Sequence, residues 1–258
     1  MPLHKDKIMN KSERQSNIVE VINKKKKISV VDLACMFDVS TVTIRKDLSI
    51  LAEEGIIKKS HNYAELLDVD NISRKLSYHF VEKTKIANKA ISLVDDNETI
   101  MIESGSCCAI FAKALANTKN NMTIITNSVF IADYIGDKPD FQIIVIGGIY
   151  QQKSQVLIGP VLSDSVKNYK VDKLFIGTDG YSYERGFSNK DPFRAEAVRK
   201  MSERSNKVIV LTESEKFEDS GSQSIGLKDN VYAVVTDKNI NKKAQTDLSA
   251  KGVKLIFA

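Results

Sequence analysis

The chain predicts an α/β protein in two parts, a small helical domain ahead of a larger, mostly parallel sheet. Three observations carry that expectation. Residues 30–54, VVDLACMFDVSTVTIRKDLSILAEE, read as two helices joined by a tight turn. From about Lys75 onward, short apolar runs alternate with amphipathic segments, the pattern of strands covered by helices on both faces. The net charge of +5 over 258 residues is uneven: residues 1–60 hold 12 Lys and Arg against 8 Asp and Glu. The excess cation therefore travels with the helix pair, the footprint of a phosphate-backbone binder.

Composition narrows the classes. Hydrophobic residues make up 42% of the chain and no run approaches a membrane span, so a soluble globular protein with no membrane partner is expected. The N-terminal MPLHKDKIMNKSER has no apolar core and does not read as a secretory signal. Three cysteines, two of them adjacent (Cys107 and Cys108), make no disulfide framework and fit a reducing cytoplasm. His4, His61 and His79 are scattered with no zinc spacing, so neither a metal nor a cofactor is expected.

In the first part, Ser12-Glu-Arg-Gln15 reads as a capping box opening a helix through Ile22, with Ile18, Val19 and Ile22 inward. Lys24–Lys27 is a basic run before Ile28, beside the helix pair, where phosphate contact is plausible and a solvated loop the plainer alternative. Ser29 is the expected N-cap of the next helix, whose Leu33, Ala34 and Phe37 form one face, with Cys35 read as core. After the turn Asp38-Val39-Ser40, the second helix is capped by Ser40 and closed by Gly55. Its Ile44, Leu48 and Leu51 make one apolar stripe. That leaves Ser40, Thr41, Thr43, Arg45 and Lys46 on or near the outer face, the equipment of a recognition helix in the DNA major groove. The plainer alternative is an αα-hairpin with a polar face. The following IIKKSHNYAELL suits a β-hairpin wing around Ser60-His61-Asn62, with Lys58 and Lys59 toward the DNA backbone. A winged helix-turn-helix domain over 10–65, a polar linker over 66–74 and an effector domain over 75–258 follow.

In the second part, helical spacing at Thr84–Val94, Ser106–Thr118, Ser128–Ile135, Val161–Tyr169 and Asp191–Ser205 alternates with strands at Glu98–Ser104, Met122–Thr126, Phe141–Gly148, Val171–Ile176, Lys207–Glu213 and Asn230–Asp237. A polar helix then leads to a last strand, Val253–Ala258. Ligands in such sheets bind beyond the carboxyl ends of the strands. Those ends are polar or glycine-rich: Glu103-Ser-Gly105-Ser106-Cys107, Thr126-Asn127, Gly147-Gly148, Gly177-Thr-Asp179-Gly180 and Glu213-Ser-Glu-Lys216. Gly105-Ser106 runs straight into a helix, whose N-terminus favours an anion, and Lys216 supplies a countercharge. Singly these are ordinary turn and cap residues; together they favour a pocket for a small phosphorylated ligand. Glu103, Asp179, Glu196 and Lys216 would also serve a sugar-phosphate isomerase whose N-terminal part is a dimerisation hairpin, but there is no nucleophile–base pair, metal set or P-loop.

These motifs resemble one family. SVVDLACMFDVSTVTIRKDLSILAEEGIIKK is similar to the DeoR-type helix-turn-helix, with its Ser-x-x-Thr-Ile-Arg-x-Asp-Leu run at Ser40–Leu48. IESGS, IITNS, VIGG, DKLFIGTDG, RGFS, Glu196 on the next helix and LTESEKF match the family's sugar-phosphate-sensing domain in order. The resemblance covers nearly the whole chain. It implies a transcriptional regulator, usually a repressor of a sugar uptake and catabolism operon, with a sensor domain of the ribose-5-phosphate isomerase and CoA transferase fold. The expected partners are operator double-stranded DNA, a phosphorylated sugar or sugar alcohol, and further copies of the chain. The chain departs from the family pattern at His61-Asn62-Tyr63 in the wing, at Cys107, and at Glu215, a carboxylate beside the expected phosphate.

Overall fold

The computed structural model describes residues 9–53, 55–65, 72–219, 223–227 and 231–258. The chain forms two compact units, Met1–Val81 and Glu82–Ala258. In the first, α1 (Lys11–Lys25) is followed by β1 (Lys27–Ser29), α2 (Val30–Met36), α3 (Thr41–Glu53), the hairpin β2 (Lys58–Lys59) and β3 (Tyr63–Glu65), and α4 (Ile72–Ser77). The wing is thus formed, and β3 also pairs antiparallel with β1, which makes it the middle strand of three. Ile18, Val19, Ile22, Leu33, Ile44, Leu48 and Leu51 are buried on the facing sides of the three helices, as their spacing requires.

The helix ends explain the corrections to the sequence reading. Asn10, not Ser12, caps α1 by accepting from the Glu13 N–H, so the helix starts earlier than a capping box at Ser12 would give. It also runs past Ile22 through Lys25, and Lys26 (φ 65°) ends it in a left-handed conformation. Ser29 and Ser40 cap α2 and α3 as expected, accepting from the Asp32 and Thr43 N–H groups. Cys35 is exposed, not core, because Leu33 and Ala34 already fill the buried face of this short helix. Of the expected linker, 66–71 lie outside the described residues, whereas 72–74 open α4, whose Ile72 and Leu76 are buried.

One contact in this unit had no periodic signal in the sequence. Asp47, buried on α3, accepts from Arg14 Nε at 2.7 Å and Gln15 Nε2 at 3.1 Å, tying α1 to α3.

The second unit carries α5 (Phe80–Ile91, its first two residues before the division), β4 (Thr99–Ile102), α6 (Ser106–Thr118), β5 (Thr123–Thr126), α7 (Val129–Ile135) and β6 (Gln142–Val145). A hairpin, β7 (Ile149–Gln151) and β8 (Val156–Ile158), precedes α8 (Pro160–Ser165) and β9 (Val171–Ile176). Then come β10 (Gly180–Ser182), β11 (Gly186–Asn189), α9 (Pro192–Ser202), β12 (Ser205–Leu211), β13 (Gln223–Ser224), β14 (Val231–Thr236), α10 (Lys242–Ala250) and β15 (Lys254–Phe257). Seven strands form one parallel sheet in the order β15-β14-β12-β9-β4-β5-β6. The chain moves from β4 outward through β5 to β6, then returns to β9 on the other side of β4. The order therefore reverses between β4 and β9, and that is where the carboxyl ends of an open sheet leave a crevice. The small antiparallel sheet β10-β11-β13 and the β7–β8 hairpin are additions to this frame.

The Asp47 contact generates the first prediction. Asp47→Ala should leave the Arg14 guanidinium without its carboxylate and cost roughly 2 kcal/mol. Hydrogen exchange at the amides of α1 and α3 should show the loss, while a paired Arg14→Met, Asp47→Leu variant should recover most of it. Equal protection in Asp47→Ala and the parent would refute the assignment.

Candidate functional sites

In the first unit, Arg45 and Lys46 are exposed on α3, with Ser40 exposed at its start. Thr41 and Thr43 are half-buried, and the Ser40 and Thr43 hydroxyls lie 2.9 Å apart, bonded to each other. Those two hydroxyls thus serve the cap first. Lys59 reaches back from the wing to Ser49 Oγ (2.5 Å) and the Arg45 carbonyl (3.4 Å), so it braces the wing against α3. Lys58 and Lys27 flank Glu65 at 3.3 and 3.5 Å and hold its carboxyl below the usual range, Lys58 contributing most. Val42, an exposed apolar residue in the first turn of α3, was not among the expected contacts.

In the second unit, the crevice between β4 and β9 is organised by Glu103, a carboxylate buried at the end of β4. Oε1 accepts from Ser104 Oγ at 2.8 Å and from Arg194 Nη2 at 3.3 Å. Oε2 accepts from the backbone N–H groups of Gly105 (3.1 Å) and Gly177 (3.2 Å). The loops after β4 and β9 are pressed together at these glycines: a Cβ on Gly105 would lie 3.0 Å from Gly177 Cα. The Gly105 N–H is therefore committed to Glu103, and the glycine serves close approach of two loops. The free donors lie one step on. Among the described residues, the first-turn N–H groups of Ser106, Cys107 and Cys108 meet no acceptor, and α6 has no side-chain cap. The Ser106 side chain is half-buried beside them.

Arg194 is the residue that sequence reasoning missed. Its side chain is only 11% exposed, and it reaches Asp179 at 4.0 Å as well as Glu103. Burial works against its charge, yet Glu103, Asp179 and Asp191 together hold its pKa above the ordinary value. Its Nε is buried with no partner among the described residues. Glu196, two residues on, is exposed. Two helical steps turn about 200°, so the residue facing this cluster is Arg194 and not Glu196. The Asp191 cap, which accepts from the Arg194 N–H, was the available signal that position 194 lies in the first turn.

The remaining expected residues divide. Lys216 is half-buried in a short 3-10 turn and paired with Glu215 at 2.8 Å. Burial opposes its charge, but Glu215, Glu213 and Asp179 raise its pKa. Cys107 is buried, and its Sγ donates to Glu213 Oε2 at 3.3 Å; Lys83 on α5 holds Oε1 of the same carboxylate at 3.1 Å. Burial and Glu213 push the Cys107 thiol well up, so it stays protonated and serves as a donor. Thr126 is buried with Oγ1 accepting from the Ser128 N–H, a turn role. Asn127 donates to the Leu157 carbonyl, and its Oδ1 is buried without a partner among the described residues. Gly147 and Gly148 connect β6 to the β7–β8 hairpin, and a Cβ on Gly148 would sit 2.6 Å from the Ile158 carbonyl oxygen.

A winged helix-turn-helix ahead of a parallel sheet with a polar switch point defines a DNA-binding regulator with a sensor domain. Family patterns agree: the DeoR-like helix-turn-helix domain matches residues 14–69, and the DeoR C terminal sensor domain matches residues 78–238. The chain belongs to the DeoR family of transcriptional regulators. It is 32% identical over 234 residues to the HTH-type transcriptional regulator GolR of Listeria innocua, covering 89% of this chain and 92% of that one. It is 27% identical over 257 residues to a putative aga operon transcriptional repressor of Escherichia coli O157:H7 (97% and 95%). It is 28% identical over 233 residues to the glycerol-3-phosphate regulon repressor of Escherichia coli K12 (89% and 92%). All three are named as regulators or repressors, none as an enzyme, which sets the isomerase reading aside. Among solved structures, ribose 5-phosphate isomerase A of Methanocaldococcus jannaschii aligns with a TM-score of 0.39 at 18% identity, over 52% of this chain and 53% of that one.

Arg194→Met should leave Glu103 as a buried carboxylate without its cation and destabilise the second unit by about 3 kcal/mol. Thermal unfolding of Arg194→Met, Glu103→Gln and the double variant should give a coupling above about 1 kcal/mol. Additive losses would show that the two side chains do not depend on each other.

Proposed function

We propose that this protein is a cytoplasmic repressor of an operon for uptake or catabolism of a sugar or sugar alcohol, that it binds operator DNA as a homo-oligomer, and that a phosphorylated sugar modulates this binding. In this reading the DNA-binding domain spans about 10–65, a linker 66–74 and the sensor 75–258. Arg45 and Lys46 read or flank bases with Ser40, Thr41 and Thr43, and Lys58 and Lys59 belong to the wing that tracks the DNA backbone. The support is the capped α3 with its exposed cations, the basic charge of residues 1–60, and relatives named for the aga operon and the glycerol-3-phosphate regulon.

For the effector, the observation that carries the reading is the unpartnered, buried Nε of Arg194, joined through Glu103 to the open first turn of α6. Free N–H groups at a helix start beside a guanidinium suit a phosphate. Ser106 and Lys216 complete the anion side, with Asp179 toward the sugar hydroxyls and Glu103 holding Arg194 and the two loops in place. Asn127 has one acceptor to spare for the same hydroxyls.

Two measurements test this. Arg45→Ala should cost on the order of 1–3 kcal/mol of specific operator binding with the fold unchanged. In the parent, log K should fall with log salt by roughly 0.9 per phosphate neutralised. A variant that binds operator like the parent, or a flat salt dependence, would remove the DNA assignment. For the sensor, a thermal-shift panel of sugar phosphates should raise the melting temperature of the parent with at least one member. Ser106→Ala should weaken that response, and Lys216→Ala more, while both retain operator binding without ligand. Parent-like responses in both would move the phosphate site elsewhere.

A further inference from the structure

α3 is gripped from two flanks. The wing meets it at Ser49, through Lys59, and α1 meets it at Asp47, through Arg14 and Gln15. Two helical steps turn about 200°, so these contacts stand on nearly opposite sides of the helix, with Lys46 on the exposed face between them. The wing flank carries Lys58. The α1 flank carries a groove of about 440 Å³, lined by Lys11 and Arg14 from α1 and by Thr43, Lys46, Asp47 and Ile50 from α3.

Three cations thus border this groove with one carboxylate, and that carboxylate is already committed to Arg14 and Gln15. Lys11 and Lys46 are exposed, and their amines meet no acceptor among the described residues. Arg14 is held by its Nε alone, which leaves both terminal nitrogens of a side chain 14% exposed for a further acceptor. α1 begins at this groove, so the positive end of its macrodipole adds to the cations.

We propose that this groove holds a backbone phosphate of the DNA whose major groove receives α3, with Lys11 and the Arg14 fork as its contacts. A major groove is walled by two sugar-phosphate strands about 12 Å apart, so a helix that enters it meets a strand on each flank. The wing accounts for one strand, and the groove beside α1 accounts for the other. A guanidinium fork suits a phosphate bidentately, and the Asp47 bond to Nε fixes the plane in which that fork lies. Asp47 therefore sets α3 against α1 and aims Arg14 with the same contact. The inference rests on the operator reading above and adds to it the strand contact opposite the wing.

The full chain is titrated with operator and random duplexes of equal length over a range of salt. Lys11→Gln should weaken binding to both by the same factor, roughly eightfold at about 0.1 M salt, and lower the slope of log K against log salt by about 0.9, the share of one phosphate. Arg14→Lys keeps a cation on Asp47 but has no fork, and should also weaken both duplexes equally. Lys238→Gln removes an equal charge from an exposed position in the second unit and should keep the parent's slope. Circular dichroism melts monitor folding; Lys11 is exposed, so Lys11→Gln carries the test if Arg14→Lys melts early. A parent whose affinity ignores salt removes the operator reading together with this one. A steep parent slope that Lys11→Gln leaves unchanged, or that Lys238→Gln lowers as much, overturns the groove alone. A loss confined to the operator duplex also overturns it, because these residues would then read bases.

Discussion

The sensor unit depends on one buried carboxylate. Glu103 receives four donors, two side chains and two backbone amides, which nearly exhausts its accepting capacity. Each donor comes from a place the fold must bring together: the loop after β4, the loop after β9, and the first turn of α9. A carboxylate this deeply buried is tolerated only when paired and hydrogen-bonded. The reversal of strand order leaves a crevice, and Glu103 fixes its two lips at the separation that the Gly105–Gly177 contact allows. A larger residue at either glycine would separate the lips and stretch the bonds to Glu103 together.

Asp47 does comparable work in the DNA-binding unit, at smaller scale. α3 is set by its own cap and stripe, but its rotation relative to α1 is fixed by the Arg14 and Gln15 bonds to Asp47. Lys59 adds a tether from the wing, donating to the hydroxyl of Ser49, the next turn of the same helix. The outward residues Arg45 and Lys46 thus sit on a helix held from two sides, a preorganisation that suits the base reading proposed for them.

Much of this was legible in the sequence, for reasons that are local. The 3.6-residue stripe of α3, the caps at Ser29 and Ser40 and the apolar strands are encoded within windows of a dozen residues, and they came out close to their observed bounds. What failed was mostly long-range. Glu196 and Arg194 sit two positions apart on one helix, and only the direction of α9 relative to β4 decides which one meets Glu103. Cys107 donates to Glu213, 106 positions away, a pairing with no local signature. Cys35 read as core because α2 is short and its buried face is narrow, so a one-step error in helical phase moved the residue to the surface. The strand order, and with it the crevice between β4 and β9, has no signature in a linear pattern at all.

The charge arrangement at the crevice bears on how an anion would be held there. Lys216 is engaged by Glu215, Arg194 by Glu103 and Asp179, and Lys83 by Glu213. The carboxylates outnumber the cations, so long-range attraction for an anion is weak, and the departure at Glu215 strengthens that balance. For the proposed anion, affinity would then come from short-range geometry: the unpaired amides of Ser106, Cys107 and Cys108, and the one Arg194 nitrogen that no carboxylate uses. Any cation an anion captures from its present partner leaves a carboxylate to be resolvated, a cost set against the new bond. Binding is then a small difference between large opposing terms, and it is coupled to where Lys216 and its short turn settle. A site of this kind discriminates by fit more than by charge. In the effector site proposed above, an anion held by Lys216 would loosen the Glu215 pair, and that would give it a means of moving protein groups.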